Sequence, residues 1–308
     1  MKKDLLGLQN LSREDLLRIL ENAKRMKEVV LSENDRLDNL AGRSVVTLFY
    51  ENSTRTRLSF ELAAKYLGAD VANITASGSS VEKGESLIDT VKTIDAMGTD
   101  IIAMRHSSSG APQIVAPLVD ASVINAGDGM HEHPTQALLD IFTIMEKKGS
   151  IAGLKVAIVG DIEHSRVVRS NIYALKTLGA DVSLGGPSTL IPKGMEKLGV
   201  KVFKSVQEAM IDADVVMALR IQLERQKSGL FPSLAEYNRF FGIDEKRLMF
   251  AKDDAFIMHP GPVNRGVELS SEIVDGDRSA ICRQVTNGVA VRMSVMDWLI
   301  NGSGEDAQ

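Results

Sequence analysis

The sequence has one cysteine, no long apolar run and no basic run, and each of these absences excludes a class of protein. Cys282 alone cannot build a disulfide framework or a multi-cysteine metal or iron–sulfur site. No stretch approaches the roughly twenty consecutive apolar residues that a membrane-spanning helix needs. The first residues are too polar for a signal peptide. We therefore expect a cytoplasmic protein without a membrane partner.

The charge and the composition further narrow the class of protein and the kinds of partner to expect. The 308 residues carry 36 Lys and Arg against 41 Asp and Glu, a net charge of −5, and no basic face stands out. This balance does not favour nucleic acid as a partner. Hydrophobic residues make up 44% of the chain, which is typical of a folded protein with a large core. The length suits one large domain or two of ordinary size.

Short apolar segments alternate with amphipathic helices along the whole chain. We predict strands over 45–50, 71–74, 101–104, 122–125, 155–159, 182–184, 215–219 and 256–258. We predict helices after Ser12, over 58–67, 87–97 and 168–178, and near the end of the chain. Apolar strands separated by helices indicate parallel sheets covered on both faces. The predicted fold class is α/β, with two doubly wound parallel-sheet domains joined by helices.

A helix that opens at Pro134 and breaks at Gly149 divides the two series of strands and helices. We place the first domain at 1–148 and the second at 149–286. A terminal helix over about 287–303 is expected to pack back on the first domain.

The strongest chemical signal is the segment 51–61, which follows a strand and opens a helix. Hydroxyls of Ser53, Thr54 and Thr56 and guanidinium groups of Arg55 and Arg57 fall within five positions. Backbone N–H groups at a helix N-terminus favour an anion, and arginine adds bidentate bonds to phosphate oxygens. The alternative is a helix cap with solvated arginines. The density of such residues favours a phosphate site.

Two other kinds of site find no support in the sequence. No G-x-x-x-x-G-K-[ST] loop occurs, and Val159-Gly160-Asp161 lacks the further glycines of a dinucleotide fingerprint. His131 and His133 could pair on a metal, but no third ligand falls at a recognised spacing. We therefore expect neither a metal nor a cofactor.

Motifs along most of the chain resemble those of the aspartate/ornithine transcarbamoylase family. They follow the family's order: Ser53-Thr54-Arg55-Thr56-Arg57 with Ser59-Phe60-Glu61, Ser79 with Lys83-Gly84-Glu85, Met104-Arg105-His106, His133-Pro134-Thr135-Gln136, Arg166, Arg220-Ile221-Gln222 with Glu224-Arg225, and His259-Pro260-Gly261-Pro262. The resemblance implies transfer of the carbamoyl group from carbamoyl phosphate to an amino acid.

The resemblance also implies roles for individual residues. The first domain would bind carbamoyl phosphate and the second aspartate. The residues implied for carbamoyl phosphate are Ser53, Thr54, Arg55, Thr56, Arg105, His133, Gln136, Gly261 and Pro262, of which Arg55, Thr56, Arg105 and His133 are catalytic. Those implied for aspartate are Lys83, Arg166, Arg220 and Gln222. Ser79 and Lys83 would come from the adjacent subunit of a homotrimer with shared active sites.

Departures from the ornithine branch favour aspartate as the acceptor. Ornithine enzymes typically carry Lys where Glu51 stands, have His-Cys-Leu-Pro where this chain has His259-Pro260-Gly261-Pro262, and lack the Arg220-x-Gln222 pair. Two arginines, Arg166 and Arg220, suit a dicarboxylate. The implied product is N-carbamoyl-L-aspartate, made in pyrimidine biosynthesis. A transcarbamoylase for another amine such as ornithine, or a non-catalytic homologue, stays open, as do regulatory chains or a dihydroorotase as partners.

Overall fold

The structure, a computed structural model, describes residues 4–32, 35–75, 84–222 and 233–302. The chain divides into two units, each with its own parallel sheet. The first unit combines residues 1–142 with 286–308, and the second is 143–285. Within the described ranges, no helix combines the length and the apolar content needed to cross a bilayer.

A four-stranded parallel sheet forms the centre of the first unit. Its strands are β1 (Ser44–Phe49), β2 (Asp70–Thr75), β3 (Ile101–His106) and β4 (Ser122–Asp128), in the order β2-β1-β3-β4. The helices between and around them are α1 (Arg13–Leu31), α2 (Thr54–Tyr66), α3 (Leu87–Ala96), α4 (Ala111–Val115), α5 (Pro134–Lys148) and α11 (Ile281–Asn301). Every residue of β4 is buried, because helices cover a parallel sheet on both faces.

Serine side chains begin three of these helices. Ser12, Ser53 and Ser86 each stand one residue before a helix and accept a hydrogen bond from a backbone N–H in its first turn. Such a cap satisfies one of the N–H groups that a helix leaves without a partner at its start. The local sequence therefore fixes where α1, α2 and α3 begin.

A five-stranded parallel sheet forms the centre of the second unit. Its strands are β5 (Lys155–Val159), β6 (Asp181–Gly185), β7 (Lys201–Phe203), β8 (Val215–Ala218) and β9 (Phe256–Met258), in the order β7-β6-β5-β8-β9. The accompanying helices are α6 (Arg166–Thr177), α7 (Val206–Met210), α8 (Leu234–Phe241), α9 (Glu245–Leu248) and α10 (Ser271–Asp275). Val159, Val216 and Ile257, from three adjacent strands, lie in one buried apolar cluster.

These sheets confirm the predicted fold class, and α5 and α11 are the helices that cross from one unit to the other along the chain. The helices α4, α7, α8, α9 and α10 were not predicted, and three other elements also differ from the sequence prediction. Helix α2 begins at Thr54 rather than Leu58, because Ser53 caps it and the arginines of the phosphate motif already lie in its first turn. Helix α11 begins at Ile281, several residues before the predicted start. Strand β7 was not predicted, since three residues are too few to show an alternation.

Candidate active site

The start of α2 lies beside the carboxyl end of β1. Ser53 accepts a hydrogen bond from Thr56 N at 3.3 Å, so its hydroxyl serves as the helix cap. The side chains of Thr54 and Arg55 are exposed, and that of Thr56 is half-buried. The first turn of α2 contains no acidic residue. The N–H groups, the helix dipole and the arginine at this point together favour an anion.

A cavity of about 230 Å³ opens at this helix start. Its lining residues come from β1, the β1–α2 turn, α2 and the end of β2: Phe49, Asn52, Ser53, Thr54, Arg57 and Thr75. The guanidinium-bearing residue in the lining is Arg57, which the sequence analysis included in the motif but not among the candidate ligands. Arg55 does not line this cavity in the described conformation.

Arg105 lies in β3, the strand next to β1. Phe49 is its partner in the register of the two strands, and Tyr50 N donates a hydrogen bond to the Arg105 carbonyl at 2.9 Å. The guanidinium is nearly buried and donates from Nη2 to Glu51 Oε1 at 2.5 Å. Arg105 therefore stands at the same edge of the sheet as the start of α2, as expected for ligand-binding residues of a parallel sheet.

His133 and Gln136 lie where β4 leads into α5. His133 directly precedes Pro134, and its carbonyl accepts hydrogen bonds from Gln136 N and Ala137 N at 3.0 and 3.2 Å. The side chains of His133 and Gln136 are buried. Gln136 Nε2 donates to Asp140 Oδ1 at 2.9 Å. Because β4 is the neighbour of β3, the sheet order brings the His133 segment beside the end of Arg105's strand.

In the second unit, the predicted aspartate residues follow β5 and β8, which are paired. Arg166 is the first residue of α6 and is buried. The segment 220–222 follows β8, and its position is fixed by two carboxylates. Asp161 Oδ2 accepts from Gln222 N at 3.4 Å, and Glu268 Oε1 accepts from Ile221 N at 2.7 Å. Arg166, Arg220 and Gln222 thus belong to one edge of the second sheet.

Glu268 is a buried carboxylate that the sequence analysis missed. Its Oε1 also accepts from Asn264 Nδ2 at 2.7 Å, and its Oε2 accepts from Asn264 N at 2.8 Å. Burial raises the pKa of Glu268, and these hydrogen bonds oppose the increase. Burial also raises the pKa of the Tyr237 hydroxyl, and the charges of Glu268 and Asp161 add to that effect. No local motif signals Glu268, because its partner Ile221 is 47 residues away in the sequence.

Gly261 and Pro262 follow β9 in the second unit. Gly261 has φ +65°, a left-handed conformation that favours glycine, and it precedes Pro262 through a cis peptide bond. Gly261 N donates to His259 Nδ1 at 2.8 Å, and His259 N donates to Gln284 Oε1 at 2.9 Å. The left-handed backbone conformation therefore favours glycine at position 261.

Two predicted residues, Ser79 and Lys83, lie outside the described residues. Among the described residues, no group of three or more His, Cys, Asp or Glu side chains is arranged to hold a metal ion.

Comparison with known families gives matches in both halves of the chain. Residues 3–146 match the family described as aspartate/ornithine carbamoyltransferase, carbamoyl-P binding domain. Residues 152–299 match the family described as aspartate/ornithine carbamoyltransferase, Asp/Orn binding domain.

Among curated proteins, two bacterial relatives have two thirds of their aligned residues in common with this chain. The aspartate carbamoyltransferase catalytic subunit of Ruminiclostridium cellulolyticum is 67% identical over 96% of this chain and 94% of the relative. The subunit of the same name from Acetivibrio thermocellus is 68% identical over the same shares.

Solved structures with this fold include enzymes with bound substrates. Aspartate transcarbamoylase from Trypanosoma cruzi in complex with carbamoyl phosphate and aspartate has a TM-score of 0.86 and 33% identity, over 96% of each chain. The catalytic subunit of the M. jannaschii enzyme has a TM-score of 0.85 and 37% identity, over 99% of this chain and 100% of that one.

Proposed function

The chain belongs to the aspartate/ornithine carbamoyltransferase family, and we propose that it transfers the carbamoyl group of carbamoyl phosphate to the amine of L-aspartate. The products are N-carbamoyl-L-aspartate and phosphate, and the step belongs to pyrimidine biosynthesis. The observation that carries the choice of acceptor is the identity of 67–68% to catalytic subunits named for aspartate. The enzyme from Trypanosoma cruzi, of the same fold, is described with carbamoyl phosphate and aspartate together.

Carbamoyl phosphate binds at the edge of the first sheet, where α2 begins. Ser53, Thr54, Arg55, Thr56 and Arg105 hold the phosphate. The support for this assignment is the helix start without acidic residues, beside the nearly buried Arg105 guanidinium. Thr56, Arg105 and His133 polarise the carbamoyl carbonyl, and Gln136 contacts the carbamoyl group. Gly261 and Pro262 add contacts that the family resemblance implies.

Aspartate binds through the cationic and amide side chains of the second unit. Arg166 and Arg220 each take one carboxylate, and Gln222 and Lys83 complete the orientation. A guanidinium matches a carboxylate with two parallel hydrogen bonds. The carboxylates of Asp161 and Glu268 support this role, since they accept hydrogen bonds from the backbone of 221–222 and so fix its position.

The reaction needs positioning and charge stabilisation rather than a covalent intermediate on the protein. The aspartate amine attacks the carbonyl carbon, and negative charge develops on the carbonyl oxygen of the tetrahedral intermediate. Donors aimed at that oxygen stabilise it more than they stabilise the ground state. The C–O bond to phosphate then breaks, and phosphate leaves with the bonding electron pair. The departing phosphate accepts the proton that the amine loses.

An acceptor panel tests the reaction. Purified chain, carbamoyl phosphate and either L-aspartate or L-ornithine are incubated, and phosphate and the carbamoylated product are both quantified. We expect turnover with aspartate and none above background with ornithine. Preference for ornithine would overturn the acceptor, and zero turnover by folded protein with both amines would indicate a non-catalytic homologue.

The active enzyme is a homotrimer with shared sites, located in the cytoplasm. The family resemblance implies that Ser79 and Lys83 act in the neighbouring subunit's site, whereas Arg55 acts in its own. Arg55→Ala and Lys83→Ala homotrimers should each be nearly inactive, and dissociation and reassembly of their mixture should restore part of the wild-type activity. No recovery in mixed trimers confirmed by charge separation would contradict shared sites.

Sizing the chain with and without candidate regulatory chains or a dihydroorotase tests larger assembly.

A further inference from the structure

The side-chain amide of Gln136 is held by its neighbour one turn along α5. Gln136 Nε2 donates to Asp140 Oδ1 at 2.9 Å, and both side chains are buried. A primary amide has a donor end and an acceptor end. The end that Asp140 holds therefore determines which end the amide can offer to a ligand.

Asp140 has a buried cation close by, Arg292 on α11. Arg292 is buried, donates from Nη1 to the Gly288 carbonyl at 2.9 Å, and stacks on the Phe60 ring at 4.9 Å from its centroid. Burial lowers the pKa of Arg292 to about 9, and the attraction of Asp140 opposes this shift. The buried positive charge of Arg292 is thus attracted to the carboxylate of Asp140.

An ionised carboxylate has only acceptors, whereas a protonated one can also donate. Opposite an ionised Asp140, the Gln136 amide keeps Nε2 turned toward the carboxylate and Oε1 turned away from it. Loss of the charge would allow the flipped amide, with Nε2 turned away. The positive charge of Arg105 contributes to the lowered pKa of Arg292, so the buried pair lies within electrostatic reach of the proposed carbamoyl phosphate site.

We propose that Asp140 is a positioning residue that orients the Gln136 amide so that Oε1 accepts a hydrogen bond from the carbamoyl NH₂ of the substrate. The inference rests on the proposed function, because it assigns Gln136 to the carbamoyl group. It adds one residue, Asp140, that acts on the substrate only through Gln136.

A double-mutant cycle tests whether Asp140 acts through Gln136. Asp140→Asn, Gln136→Ala and the double variant are compared with wild type for the KM of both substrates, kcat and the midpoint of thermal unfolding. We expect Asp140→Asn to raise the carbamoyl phosphate KM about tenfold, which corresponds to about 1.4 kcal/mol, with the aspartate KM changed less than twofold. In the Gln136→Ala background the same substitution should change the carbamoyl phosphate KM less than twofold.

Asp297→Asn is the matched control. Asp297 is also a buried carboxylate of the first unit, and it accepts from Asn22 Nδ2 at 2.9 Å and from Asn39 Nδ2 at 2.8 Å. Its substitution should lower the unfolding midpoint without raising the carbamoyl phosphate KM. An equal rise in KM for both substitutions would indicate a structural role for Asp140.

A charge-preserving exchange covers the case in which Asp140→Asn fails to fold. Gln136→Glu combined with Asp140→Asn keeps one negative charge near Arg292. The carboxylate introduced at position 136 would offer one oxygen to the substrate, while the amide introduced at position 140 donates to its other oxygen. This double variant should have a lower carbamoyl phosphate KM than Gln136→Glu alone.

Two results would overturn the inference. One is an equal carbamoyl phosphate KM for the double variant and for Gln136→Glu alone, and the other is an undiminished effect of Asp140→Asn in the Gln136→Ala background. Wild type without turnover would instead refute the proposed function and this inference with it.

Discussion

Glu51 accepts a hydrogen bond from Arg105 at 2.5 Å, across 54 positions of sequence. The pair joins the turn that follows β1 to the end of β3, beside the start of α2. The Arg105 guanidinium is therefore bonded to a carboxylate within the site proposed for the phosphate. In the ornithine branch of the family, a lysine typically stands where Glu51 does, and it could not accept this bond.

The first prediction is that the Glu51 carboxylate and phosphate compete for the Arg105 guanidinium. Glu51→Gln should tighten the binding of inorganic phosphate to the substrate-free enzyme several-fold, because the ligand no longer displaces a carboxylate from the guanidinium. Isothermal titration calorimetry at constant ionic strength measures the affinity. Unchanged or weaker binding would mean that Glu51 and phosphate use different N–H groups of Arg105.

Arg105→Ala should lower kcat/KM by more than the 10²–10³-fold that is roughly the loss from one oxyanion donor, since Arg105 is also proposed to bind the phosphate. Arg43→Ala is the matched control. Arg43 lies on the same sheet's periphery and pairs with Asp100 at 2.8 Å in a half-exposed ion pair. Such pairs contribute little to stability, and wild-type kinetics are expected. Normal turnover by folded Arg105→Ala protein would contradict the site.

His133→Ala should reduce kcat more than it weakens aspartate binding. The proposed hydrogen bond of His133 to the carbonyl oxygen strengthens as charge develops there, so its loss should destabilise the transition state more than the ground state. Steady-state kinetics with each substrate varied in turn separate the two effects. If the aspartate KM alone rose, His133 would belong to the acceptor site.

Glu268→Gln should raise the KM for aspartate about tenfold or more and leave the KM for carbamoyl phosphate within twofold. Glu268 accepts three N–H groups, and a glutamine would turn its NH₂ donor toward one of them, displacing the segment that leads to Gln222. Asp275→Asn is the control, because Asp275 forms an exposed pair with Arg265. A lower unfolding temperature with an unchanged aspartate KM would contradict the positioning of 221–222 by Glu268.

The pH dependence of stability should contain a contribution from His106. Burial lowers the pKa of His106, and the charges of Asp128 and Glu51 oppose it. Between that lowered value and the ordinary value of 6.5, the unfolded chain binds more protons, so the free energy of unfolding rises with pH. The free energy of unfolding should decrease between about pH 7 and pH 5. His106→Gln should remove part of that decrease, at most about 1.4 kcal/mol per pH unit. Denaturant unfolding at several pH values measures it, and parallel curves would contradict the assignment.

The sequence alone predicted features whose cause is local. His133 before Pro134 predicted a histidine at a helix start, and the structure has α5 begin at Pro134. Apolar runs predicted most strands of both sheets to within a few residues, because a strand covered on both faces must be apolar along its length. The start of α2 was predicted too late, since the hydroxyls and arginines of the phosphate motif are poor indicators of a helix interior.

Features that depend on distant contacts could not be predicted. Glu51 was noted only as a departure from the ornithine branch, and nothing in its surroundings indicates Arg105 as its partner. Asp161 was considered only as part of an incomplete dinucleotide motif, yet it accepts bonds from Gln222 N and from His164 Nδ1, the latter at 2.8 Å. Asp140 and Arg292 lie on different helices, α5 and α11, and only the fold brings their charges together.

The first unit is built from both ends of the chain, so its native contacts depend on the last helix to be translated, α11. The last strand of the second sheet, β9, ends at Met258, so every strand of that sheet is translated before α11, which ends at Asn301. That helix brings Arg292 to Asp140, and its Ser294 hydroxyl donates to the Ile19 carbonyl at 2.7 Å in the interior. Until α11 arrives, Asp140 lacks this buried counter-charge. The first unit, although most of it is translated first, therefore cannot complete its native contacts until α11 has been synthesised.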